Sequence, residues 1–405
     1  MFTAKLSLIV FIIPYPNRYT VSANSSTSLK IYFPNLNALR FIAAFLVIIH
    51  HSEQLKVFCH KPNIWENGFV QIIGKLGVVL FFVLSGFLIS FLLFKEQEVT
   101  KTISIKDFYI RRILRIWPLY FLIVLLSFFI LPFIPQLTIP GMGRAVTWDN
   151  LFLKLALYVF FLPNLVLVLL GVVPYASQTW SIGAEEQFYL IWPLLNKKVK
   201  NKWALMSGAL VIYLVIVLTL HLVPQKKSIE VLASFWEATP IDCMAIGGIF
   251  ALIIYQDSPL TPKLRRVLFS RILQWSVLLL TLGLMFAGIQ FPVLHKELYA
   301  LLFGVIISNF AYNRHRIFSM ENPVFNYLGK VSYGLYMFHP IAIVFTIRLM
   351  EKLHLASDLI FYPLVLAVVI LMASLSYEFF EKRFIRMKVS YSKLISGDNA
   401  HNGDN

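Results

Sequence analysis

The chain has 405 residues, of which 58% are hydrophobic and only 14% charged, and its mean hydropathy is strongly positive. Soluble domains hold about 45–50% apolar and about 25% charged residues, so this balance excludes a disordered chain, a coiled coil and an ordinary soluble enzyme. A net charge of +16 would point to nucleic acid in a soluble protein, but in a membrane protein Lys and Arg first mark the cytoplasmic loops.

At the N-terminus, residues 6–13 form a short apolar run after Lys5, and Ala23-Asn24-Ser25 has the composition of a cleavage region. A cleaved signal would leave the mature N-terminus outside, against the charge pattern described below. Residues 1–31 are therefore read as a dispensable extension or the product of an upstream start codon, 32–390 as one membrane domain, and 391–405 as a polar tail. No further domain is expected after the tail. A crossing helix needs about 20 apolar residues. Ten segments qualify or nearly do, at 38–57, 74–94, 114–134, 180–196, 203–223, 238–255, 272–289, 296–312, 331–349 and 358–379.

The first helix, LNALRFIAAFLVIIHHSE, carries Arg40 and His51. Eleven residues turn an α-helix by about 1100° and raise it by about 16 Å, so the two share a face, and His50 points about 100° away. Ionisable groups inside a span are expensive and mark functional sites, although two histidines near a helix end also suit an interface. Gly74, Gly77 and Gly86 on the second helix let neighbouring helices approach closely, which requires no chemistry.

Before the third helix, FYIRRILRIWPLY places Arg112 and Arg115 one turn apart on the same side. They read either as a topology anchor or as a clamp for phosphate groups, which guanidinium forks suit. Residues 151–170 are apolar enough to span, but a crossing there would swap the side of every later loop. Pro163 and Asn164 support a break, and the segment is expected to be re-entrant or interfacial, with an eleventh crossing as the alternative.

The fourth helix opens SQTWSIGAEEQFYLIWP. Glu185 and Glu186 would each cost about 2–3 kcal/mol in a bilayer centre, which points to a polar cavity or an arginine partner. Trp180 at its edge also fits an ordinary interfacial belt. In the ninth helix, VSYGLYMFHPIAI places His339 within the span, as a structural or a substrate-binding histidine.

The charges set the orientation. Connections 95–115, 197–202, 256–271, 313–330 and the tail after 380 carry 22 Lys and Arg, more than three times the number on the opposite set. These connections are expected in the cytoplasm, and so are both termini. The fold class is thus an all-α integral membrane protein, a bundle of about ten transmembrane helices. Cys59 and Cys243 have no zinc-like spacing and are expected as free thiols, with a disulfide near the outer face as the alternative. No metal and no nucleic acid are expected.

Five segments in order, NALRFIAAFLVIIHH, GVVLFFVLSGFLI, FYIRRILRIWPLY, TWSIGAEEQFYLIWPLL and SYGLYMFHP, resemble the acyltransferase-3 family of membrane-bound acyltransferases. The resemblance covers about residues 32–390. It places the family's basic residue and histidine, ten residues between them, on Arg40 and His51, its Arg-x-x-Arg on Arg112 and Arg115, and its Thr-Trp-Ser…Glu on Thr179, Trp180, Ser181 and Glu185. The N-terminal extension and Gly183, where serine or alanine is common, depart from the pattern. The resemblance implies transfer of an acyl group, often acetyl, from cytoplasmic acyl-CoA to a hydroxyl of a glycan or lipid-linked sugar across the bacterial cytoplasmic membrane.

The residues suit that chemistry. Arg40, Arg112 and Arg115 would hold the coenzyme A phosphates, and the thioester would extend toward His51. A sugar hydroxyl needs its proton removed, and imidazole, with an ordinary pKa of about 6.5, is a fitting base. Glu185 is a candidate to orient that ring, and Trp180, Ser181 and His339 are candidates to bind substrate. A ternary complex with His51 as base and an acyl-enzyme carried on His51 are both consistent with the sequence. A proton-coupled transporter is the alternative from another class, although no inverted repeat is visible. A small-molecule or lipid-linked acceptor would use the same residues.

Overall fold

The computed structural model describes residues 29–223, 226–291, 294–391 and 394–396. The expected leader features at 6–13 and 23–25 lie outside these residues. A short strand, β1 (Leu29–Ile31), leads into α1 (Leu36–Phe58). The next helix, α2 (Gly68–Thr100), starts where the Asn67 side chain accepts the Phe69 N–H at 3.0 Å, satisfying one of the orphan donors of a helix start. Ser104 caps α3 (Ile105–Leu125) in the same way, and its hydroxyl also donates to Asp107. Beyond α3 the helix loosens into a π turn (Leu126–Ile130) and a 3₁₀ turn (Leu131–Phe133), ending where Pro132 removes a backbone donor.

The long connection that follows holds α4 (Arg144–Trp148), α5 (Leu151–Val159) and α6 (Pro163–Leu170). The apolar run 151–170 is therefore two helices of 9 and 8 residues, with Pro163 opening the second. Each is only about 12–14 Å long, too short to cross a bilayer alone. Then come α7 (Trp180–Lys198), α8 (Lys202–Leu222), α9 (Lys227–Glu237), α10 (Ile241–Tyr255), α11 (Thr261–Leu268), α12 (Arg271–Phe286), α13 (His295–Tyr312), α14 (Pro323–Lys330), α15 (Ser332–Lys352), α16 (Asp358–Ser376) and α17 (Lys382–Lys388). A final strand, β2 (Leu394–Ser396), runs parallel to β1 with Leu29 opposite Leu394.

All ten expected segments are helical, but fewer have the length and apolarity of a crossing. Among the described residues, seven helical stretches do: 36–58, 68–100, 105–133, 202–222, 227–255, 332–352 and 358–388. The α11–α12 pair, bent by 61°, makes an eighth if it is one span. Polar groups keep α7 and α13 out of that set: Glu185, Glu186 and Asn196 in one, and Lys296, Glu297 and Asn309 in the other. Exposed apolar side chains such as Ile212, Ile272, Leu279 and Leu359 belt the outside, as lipid contact requires.

The core centres on α2, which packs on α1 and α10. Glycine allows the closest approach. A Cβ on Gly86 would lie 1.9 Å from the Met244 carbonyl oxygen of α10, and one on Gly74 would lie 2.3 Å from the His50 ring. Because α1, α2 and α3 alternate in direction, the start of α1, the end of α2 and the start of α3 share one face with the β1–β2 pair. We call it the terminal face. At the opposite face, buried Glu53 accepts from Lys56, Tyr362 and the Ile64 N–H, and Lys56 also bridges to Asp358, which ties α1 to α16. Both thiols, Cys59 and Cys243, are free and buried.

Candidate active site

One large cavity enters the bundle, with about 1400 Å³ of empty space that includes open solvent at its mouth. Its walls come from α1, α2, α3, α7 and α15. It extends from Ile31, Tyr32 and Lys388 at the terminal face to Ser181 and Tyr336 within the bundle. Arg40, Arg112, Arg115, Ser181 and Glu185 all line it, so five of the eight residues singled out from sequence meet in one space. Four cations face a single carboxylate among the described lining residues, a balance that favours a polyanion.

Each cation has a definite setting. Arg40 donates from Nη1 to Asn37 Oδ1 at 3.2 Å. The Arg112 guanidinium lies 5.6 Å from the ring centres of both Phe108 and Tyr189. Its buried Nε has no hydrogen-bond partner, which leaves donor capacity for a bound group. Arg115 follows one turn later along α3 and also faces the cavity. The third basic residue of that run, Arg111, instead pairs with Glu96 at 3.0 Å.

Glu185 accepts a hydrogen bond from Tyr189 at 3.1 Å, and Tyr189 is also bonded to Ser85. The neighbouring Glu186 turns away from the cavity and accepts from Trp117 Nε1 at 3.1 Å. Its other oxygen is buried without a partner. Of the two settings expected for the acid pair, a polar cavity or an arginine partner, Glu185 has the first: it lines the cavity that Arg40, Arg112 and Arg115 also line.

At the inner end, the Tyr336 hydroxyl meets Ser181 Oγ at 2.7 Å and the Gln178 carbonyl at 2.8 Å. One turn further along α15 stands fully buried His339, whose Nδ1 donates to the Tyr336 carbonyl at 2.6 Å. Its ring centre is 4.8 Å from that of His51. Neither histidine lines the cavity; they stand beyond Ser181 and Tyr336, and Trp180 packs on Phe82 outside the lining. α1 thus runs from the cationic cavity, at Arg40, to the histidine pair, at His51.

His51 Nδ1 donates to the Val47 carbonyl at 2.9 Å, not to Glu185. A carbonyl only accepts, so this bond puts the proton of neutral imidazole on Nδ1 and leaves the Nε2 lone pair available. His50 is held separately by the Val70 carbonyl at 2.8 Å. Among the described residues no group of three or more His, Cys, Asp or Glu side chains has the geometry to hold a metal ion.

Sequence reasoning singled out neither Tyr336, Tyr189, Ser85 nor Lys388. Tyr336 had a usable signal, standing three residues before His339 and so one turn nearer the cavity. Lys388 had none beyond its charge.

Comparisons with known proteins agree with this reading of the family. Over 342 residues the chain is 28% identical to the peptidoglycan O-acetyltransferase OatA of Listeria monocytogenes, covering 79% of this chain and 51% of that protein. Over 374 residues it is 26% identical to the O-acetyltransferase OatA of Staphylococcus aureus, covering 86% and 57%. The chain thus spans about half the length of these relatives. No solved structure matches it. The family model described as an acyltransferase domain matches residues 33–378, most of the chain, and this protein belongs to the acyltransferase-3 family.

Proposed function

We propose that this chain is a multi-pass enzyme of the bacterial cytoplasmic membrane that moves an acetyl group from cytoplasmic acetyl-CoA to a hydroxyl of peptidoglycan on the outer side. The observation that carries this reading is a single column of groups: a cationic cavity, the Ser181–Tyr336 pair, then His51 beside His339. Its relatives named as peptidoglycan O-acetyltransferases support the acceptor. The excess of Lys and Arg on the terminal-face connections supports a cytoplasmic donor side.

The phosphates of the donor meet Arg40, Arg112 and Arg115, and its pantetheine arm runs inward along the apolar wall of Val78, Phe82 and Leu88. The thioester carbonyl reaches the Ser181–Tyr336 pair, and as its oxygen gains negative charge Tyr336 turns toward it the proton that the Gln178 carbonyl otherwise accepts, with Ser181 beside it as a second donor. The acceptor hydroxyl approaches His51 from the opposite face. Nε2 of His51 takes the hydroxyl proton as the oxygen attacks the carbonyl carbon. The C–S bond then breaks, and the leaving sulfur takes that proton from Nε2. Thioester and alcohol become thiol and ester, with the imidazole neutral again. Coenzyme A never crosses the bilayer.

Purified protein in proteoliposomes, supplied with labelled acetyl-CoA on the terminal-face side and peptidoglycan fragments on the other, tests this. Label in the glycan is expected. Release of coenzyme A without labelled glycan would refute the acceptor, and no consumption of acetyl-CoA would refute the donor.

A further inference from the structure

The basic residues after 380 serve as a topology signal in the sequence, and Lys388 is among them. The structure gives this lysine a second place. The helical stretch from Asp358 to Lys388 is 31 residues. At about 46 Å it is longer than the roughly 30 Å hydrocarbon core, and it ends at the terminal face. There Lys388 is only 8% exposed and lines the cavity together with Arg40, Arg112 and Arg115.

The segment is fastened just beyond Lys388 at two points. Arg111 donates from Nη1 to the Tyr391 carbonyl at 2.9 Å while its Nη2 pairs with buried Glu96 of α2 at 3.0 Å. Glu96 also accepts the Ser104 N–H at 2.8 Å, so the clasp is anchored to the start of α3, which carries the cavity arginines. Next, β2 pairs with β1, and the chain after β1 supplies Tyr32 and Phe33 to the cavity wall. Residues 31–33 and Lys388 therefore meet at the mouth.

We propose that Lys388 is a fourth contact for the phosphate groups of the donor, placed there by the folded-back C-terminal segment. The inference rests on the acyl-CoA reading of the cavity. It assigns the tail to donor recognition, with the thioester end left to the groups on α7 and α15.

The test uses the full-length protein in proteoliposomes with two donors, acetyl-CoA and S-acetylpantetheine, which carries the same thioester without phosphate. Lys388→Gln is expected to lower kcat/KM for acetyl-CoA about tenfold and to change that for S-acetylpantetheine by less than about twofold, whereas Lys388→Arg keeps most of the acetyl-CoA value. An equal fall with both donors would overturn the proposal by making the tail structural. No change with either donor, while Arg112→Gln still weakens acetyl-CoA, would overturn it and leave the donor reading standing. A wild-type protein that does not distinguish the two donors would remove both.

Discussion

Replacing Arg112 is the most direct probe of the cavity as a donor site. Its guanidinium lies 5.6 Å from the ring centres of Phe108 and Tyr189, and its Nε is buried without an acceptor, so its donors are confined before any ligand arrives. A hydrogen bond to a charged group contributes about 1.5–3 kcal/mol. Loss of about 2–3 kcal/mol in Arg112→Gln raises KM for acetyl-CoA by about 30- to 150-fold. Glutamine is a good helix former, so α3 survives the change. Arg112→Lys restores the charge but neither the fork nor the planar group beside the two rings, and recovers about half of the lost free energy. The assay is initial-rate kinetics in proteoliposomes at saturating acceptor, with coenzyme A binding by calorimetry as a check. A collapse of kcat at unchanged KM and unchanged coenzyme A affinity would refute the assignment of this arginine to the phosphates.

Other expectations follow from the same geometry. Gly86→Ala forces a Cβ against the Met244 carbonyl and is expected to cost about 2–3 kcal/mol, seen as a lower melting temperature in detergent. Gly208→Ala, with nothing within 4 Å of the added carbon, should leave the melting temperature unchanged, and equal loss in both would count against the close α2–α10 contact. Tyr336→Phe removes a donor at the inner end and is expected to lower kcat about a hundredfold with little change in donor KM; a rise in KM at constant kcat would move Tyr336 out of the reacting centre. Glu185→Gln should leave the pH-rate limb attributed to His51 in place, because Glu185 bonds Tyr189 and His51 bonds Val47. A shift of that limb by about one pH unit would mean that the carboxylate and the imidazole act together.

The family and the helical segments were legible because the bilayer imposes long apolar runs and because ionisable residues inside them are costly. The Arg40–His51 spacing was legible for a geometric reason: eleven residues return a helix to nearly the same face. The partner of Glu185 was not, because several hydroxyl and amide groups compete for a carboxylate in a polar cavity. Tyr189, one turn along the same helix, meets it at 3.1 Å. Nor was the orientation of His51, since a backbone carbonyl leaves no mark in the sequence. The run 151–170 shows the value of one residue: its hydropathy alone suggests a crossing, and Pro163 breaks it into two short helices. The role of Lys388 was hidden because a cationic tail already had a sufficient explanation in topology, and only the fold brings residue 388 to the cavity that Arg40 also lines.

The central claim is that His51 is the base that activates the acceptor. The decisive measurement is transfer of labelled acetyl from acetyl-CoA to peptidoglycan by wild-type and His51→Gln proteins reconstituted at equal amounts, with coenzyme A binding measured on both. The account predicts that His51→Gln binds coenzyme A as the wild type does and transfers at least about a hundredfold less label. Undiminished transfer by His51→Gln, with the protein inserted and binding coenzyme A normally, would contradict it.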